Sequence, residues 1–79
     1  MTTHEIRHLQ DARPFRPFTI HMADGRKVQV FHPEFMASAP AARTVVVYQP
    51  DGSFQIVDIL LVTALEVRKN GIRSKQRRA

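Results

Sequence analysis

Residues 18–29 read FTIHMADGRKVQ, and the spacing of apolar side chains in this stretch decides the fold class. Phe18, Ile20 and Met22 alternate with Thr19, His21 and Ala23, the two-residue period of a strand with one buried face. Asp24-Gly25 follows, a pair suited to a two-residue hairpin turn in which both central positions take positive φ. Lys27, Gln29 and Phe31 then alternate with Val28 and Val30 on the return strand. A hairpin of this kind predicts an antiparallel, mainly β chain.

On the amino-terminal side, Thr2 and Glu5 have the spacing of a capping box, and a helix is expected over residues 3–12 with Ile6 and Leu9 on one face. Pro14 ends that helix, and Pro17 keeps residues 13–17 extended. On the other side, His32-Pro33 stops the second strand, and residues 32–43 read as a loop with room for a helical turn at 34–37. Residues 44–49 form a third strand, PDGS at 50–53 a turn, and a fourth strand follows. On it Phe54, Ile56 and Asp58 face one way, and Gln55, Val57 and Ile59 the other. A fifth strand is expected near residues 63–68. The sequence thus predicts one domain over residues 1–67, a helix and five strands, with a flexible basic tail at 68–79.

Two runs, VVVY at 45–48 and ILLV at 59–62, are more apolar than a sheet with one wet face requires. Either a neighbouring subunit pairs along an edge strand, or the chain turns a barrel corner between the two sides of its core. Under the first alternative, Val45, Val47, Ile59, Leu60 and Leu61 are candidate interface residues of a homo-oligomer.

A chain of 79 residues buries only about 60% of the surface its unfolded form exposes, so its stability is expected to be marginal. Without cysteine it has no disulfide or thiolate zinc site to staple it. The first residues lack the basic start and long apolar run of a secretory signal, and no apolar run approaches the roughly 18 residues of a membrane span, so a cytoplasmic protein without a membrane partner is expected.

The net charge of +5 invites a nucleic-acid reading, but that charge is not spread evenly. Arg68, Lys69, Arg73, Lys75, Arg77 and Arg78 put +6 on the last twelve residues, leaving six basic and seven acidic side chains elsewhere, a net of −1. Electrostatic attraction to an anionic partner therefore rests on the tail.

No catalytic constellation is recognisable, and neither a cofactor nor a small-molecule substrate is evident. The serines Ser38, Ser53 and Ser74 sit outside any nucleophile motif, Asp24 and Asp51 are accounted for by turns, and Asp58 by a strand-end hydrogen bond. Three glycines do not make a phosphate loop. His4 and His8 lie four apart on the helix and could share a metal, but two ligands do not make a site. Among the aromatic residues, Phe31 and Phe35, with His32 beside them, are the candidates for stacking on unpaired bases; the alternative is packing under the helix or at an interface.

A short helix followed by five antiparallel strands, with ADGRK at residues 23–27 in the first hairpin turn, resembles the Sm-like proteins of the bacterial Hfq type. The likeness covers roughly residues 3–67, clearest in FTIHMADGRKVQ, with an echo in ILLVTALEV at 59–67. It implies a small, strongly bent barrel that assembles into a ring through its last two strands and binds single-stranded RNA. As a member of that family the chain is divergent. Val30 stands where the second strand usually has a glycine at its bend. Ile59-Leu60-Leu61 stands where a basic residue and a histidine read uridine-rich RNA, and His32-Pro33-Glu34-Phe35 where an aspartate and an asparagine lie near the base. The two functional expectations are therefore a non-enzymatic RNA-binding module and, alternatively, a protein-interaction or scaffold domain with no nucleic-acid role.

Overall fold

The structure, a computed structural model, describes residues 3–38 and 43–67. Thr2 and the basic tail lie outside the described residues. The helix α1 spans Thr3–Asp11, and six strands follow: β1 Phe18–Met22, β2 Lys27–Val30, β3 Met36–Ser38, β4 Thr44–Tyr48, β5 Phe54–Asp58 and β6 Val62–Val67. They form two three-stranded antiparallel sheets, ordered β2-β1-β6 and β3-β4-β5. We call these sheet A and sheet B. The chain is thus a small, mainly β domain with one amino-terminal helix.

The expected alternation places the core. Phe18, Ile20, Met22, Val28 and Val30 are buried from sheet A, and Met36, Val45, Val47 and Val57 from sheet B. Ile6 from α1 is fully buried among them, with Leu9 packed against the same cluster. The helix has nine residues, too few to persist alone in water, so this apolar stripe holds it in place.

Both crossings between the sheets are short 3-10 turns, Pro33–Phe35 from β2 to β3 and Ile59–Leu61 from β5 to β6. A three-residue strand therefore stands in the stretch expected to be loop, making six strands where five were expected. Its alternation is too short to register in a sequence; β3 exists because Met36, Ala37 and Ser38 pair with Val47, Val46 and Val45. Among the described strands no pairing joins sheet A to sheet B, so they do not close into one cylinder.

The first hairpin corrects the expected turn. Met22 N–H donates to Arg26 O and Gly25 N–H to Met22 O, which makes Ala23, Asp24 and Gly25 a three-residue loop in place of the expected two-residue Asp24-Gly25 turn. Gly25 carries the positive φ, +92°. A three-residue loop of this sort ends on a left-handed residue that completes the reversal. The second hairpin repeats it: Gln49 N–H donates to Ser53 O, Gly52 N–H to Gln49 O, and Gly52 has φ +93°. In each loop the aspartate caps the turn from inside. Asp24 accepts from the backbone N–H and the Nε of Arg26, and Asp51 from the backbone N–H and hydroxyl of Ser53. The Arg26 backbone N–H chiefly lowers the Asp24 pKa, and the Ser53 hydroxyl that of Asp51.

Candidate functional site

Alternation along β1, β2 and β6 sends a second set of side chains away from the core. Thr19 lies opposite Gln29 on one side and Glu66 on the other, and His21 lies opposite Lys27 and Ala64. The outer face of sheet A is therefore polar. At its end Pro17, Thr19, Gln29, Phe31 and Glu66 line a cleft of about 250 Å³, with Phe18 and Val30 at the back. His21 Nε2 lies 2.8 Å from Glu66 Oε1 across the face. Such a cleft has a half-buried ring for stacking, an amide and a hydroxyl that donate and accept, and a carboxylate that only accepts.

Of the three body residues expected to contact nucleic acid, Phe31 lines this cleft and the other two do not. His32 and Phe35 instead meet edge to face, with ring centroids 4.8 Å apart, across the 3-10 turn that follows. His32 is exposed and Phe35 half-buried. Arg68, Lys69, Arg73, Lys75, Arg77 and Arg78 lie outside the described residues. Their point of departure is fixed, because Val67, the last described residue, pairs with Phe18 at the back of the cleft.

The expected oligomer-interface set divides. Val45, Val47 and Ile59 are core residues, at most 6% exposed, which corrects the expectation that these side chains face a neighbour. Alternation along β4 turns Val45 and Val47 inward, and Ile59, in the turn after β5, joins the same core cluster. Leu60 and Leu61 are 63% and 51% exposed. They sit on the Ile59–Leu61 turn, which Asp58 holds: it accepts from Leu60 N–H at 3.0 Å and from Arg43 Nη2 at 2.6 Å, while Ile59 N–H donates to Arg43 O. The Arg43 guanidinium first, and then the Leu60 N–H, lowers the Asp58 pKa.

Sequence reasoning missed the face of sheet B turned away from the core. Ala37, Val46 and Ile56 form one cross-strand row there, and Tyr48 and Phe54 the next, with ring centroids 5.7 Å apart. Phe54 and Ile56 are more than half exposed. The signal was available, since Phe54 and Ile56 are out of phase with the inward Val57.

His4 and His8 are exposed on α1, and among the described residues no group of three or more His, Asp or Glu side chains is placed to hold a metal ion. No described helix is long and apolar enough to cross a membrane. Comparison with protein-family models, with curated proteins and with solved structures yields no match to this chain.

Proposed function

We propose that this chain is a non-enzymatic, cytoplasmic binding module of Sm-like type, a small bent barrel that works as a homo-oligomer and binds single-stranded RNA. If β2 and β3 are counted as one strand interrupted after Val30, the element order becomes a helix and five strands, broken where the resembling family bends. The observation that carries the RNA reading is the cleft around Phe31, which lies beside the point where the basic tail leaves β6. One unpaired base stacked on Phe31 would contribute about 1 to 3 kcal/mol, while the tail meets phosphates. The assembly reading is supported by the apolar outer face of sheet B and by β5 and β6, each of which has one edge without a partner among the described strands.

One titration tests the RNA reading. Binding of single-stranded RNA by the full chain should weaken with salt at a log-log slope no steeper than roughly −4 per subunit, from about −0.7 per neutralised phosphate and the six charges of the tail. A chain ending at Val67 should lose this binding, with little change in melting temperature. Binding that survives truncation would place the affinity on the cleft, and Phe31→Ala should then remove it. No binding by the full chain at low salt would refute the RNA reading and favour the second one, a protein-interaction domain, which the exposed Phe54 and Ile56 on an edge strand support.

A further inference from the structure

We propose that Gln10 is a positioning residue for the turn carrying His32 and Phe35, and that it couples docking of α1 to binding at Phe31, the cleft residue directly before that turn. The coupling to a ligand rests on the RNA reading above; the hold on the turn does not. Gln10 lies in the last turn of α1, and its Nε2 donates to both Pro33 O and Met36 O, each at 2.8 Å. Those two carbonyls bracket the 3-10 turn. Within the turn Phe35 N–H donates to His32 O at 3.1 Å, and His32 makes no side-chain capping bond. Two bonds from a single side chain on another element therefore add to those the turn makes with its own backbone.

The chemistry selects a primary amide. Two carbonyl acceptors need two hydrogens on one neutral group of the right reach, and the Gln10 amide supplies both. The helix that carries it is held to the core by Ile6 and Leu9 alone among its apolar residues. When α1 leaves the core it takes both bonds with it, and the ring pair of His32 and Phe35 loses its support. The reverse holds equally: Phe31 of the cleft directly precedes the turn, so a ligand stacked on Phe31 that favours the ordered turn also favours the docked helix, because coupling between two sites is reciprocal.

Amide hydrogen exchange on the full chain tests the hold directly. Gln10→Ala should lower the protection of the Phe35 amide roughly tenfold, while amides of β4 and β5 keep theirs. Gln10→Glu separates positioning from a general loss of stability. Its carboxylate, near neutral pH, has no hydrogen for either carbonyl; protonated near pH 4, it donates one. Protection at Phe35 should therefore be lost in Gln10→Glu at neutral pH and partly return in acid, a rescue that simple destabilisation does not produce. Wild-type protection in both variants would overturn the proposal. For the coupling, a mixed-sequence single-stranded RNA oligonucleotide should bind Gln10→Ala roughly tenfold more weakly at unchanged subunit number. Unchanged affinity alongside lost protection would overturn the coupling. No binding by the wild-type chain would refute the RNA reading and the coupling with it, leaving the exchange result to decide the hold on the turn.

Discussion

Sheets A and B have the same number of strands and share one core, yet their outer faces are opposite in character. Sheet A turns Thr19, His21, Lys27, Gln29 and Glu66 outward, the arrangement of a sheet with one wet face. Sheet B turns out Ala37, Val46, Tyr48, Phe54 and Ile56, with Thr44 and Asp58 polar at one end of the face. Because the inner faces are alike, core formation does not explain the difference. A contiguous apolar patch left facing water marks an interaction surface, and among the described residues Phe54 and Ile56 stay more than half exposed. The comparison assigns the two sheets separate work in our proposal, with sheet A contacting ligand and sheet B contacting another copy.

The largest effects should appear on the inner faces and be equal in the two halves. Ile20→Ala on sheet A and Ile59→Ala in the turn that follows β5 should each cost about 2–5 kcal/mol, read from denaturant unfolding, since both side chains are buried. A cost below about 1 kcal/mol at either site would mean that the core is not shared as described.

Outer-face substitutions should then split the sheets. Ile56→Lys should reduce the subunit number, as measured by light scattering, while Thr19→Lys leaves it unchanged. If both alter assembly, or neither does, the division of labour between the faces is wrong.

Next in size are the two loops, Ala23-Asp24-Gly25 and Pro50-Asp51-Gly52. Nothing lies within 4 Å of a Cβ built on either Gly25 or Gly52, so any cost of Gly25→Ala or Gly52→Ala comes from positive φ alone. Each should lower stability by about 1 kcal/mol, nearly equally. Unchanged melting temperatures would contradict the left-handed assignment.

These loops also show how far the sequence could be read. The hairpin, the helix with its Ile6 and Leu9 stripe, and the facing of β5 were all legible, because each follows from local periodicity and turn chemistry. Loop length was not, since Asp-Gly suits both a two-residue turn and the last two positions of a three-residue one. Strand β3 was hidden because its three residues are strands only through pairing with β4, which is remote in sequence. In the candidate site Phe31 was legible as a ring at a strand end, whereas the polar row of Thr19, Gln29 and Glu66 needs three strands in register. Val45 and Val47 were misplaced because an all-apolar run does not reveal which alternate residues turn inward.

The smallest effect is on pH dependence. Asp24, Asp51 and Asp58 all have pKa values lowered in the folded state, so their contributions are present above the ordinary carboxylate range and are lost as pH falls through the lowered values. Asp58→Asn should therefore lower the melting temperature slightly near neutral pH and flatten its decline in acid. An unchanged acid branch would remove Asp58 as the hold on the turn that exposes Leu60 and Leu61.

The central claim, that the apolar face of sheet B meets another copy of the chain, is tested most directly by multi-angle light scattering of the full chain at micromolar concentration. The account predicts a particle of several subunits that keeps its mass on moderate dilution. A single species at the monomer mass of 9.1 kDa would contradict it.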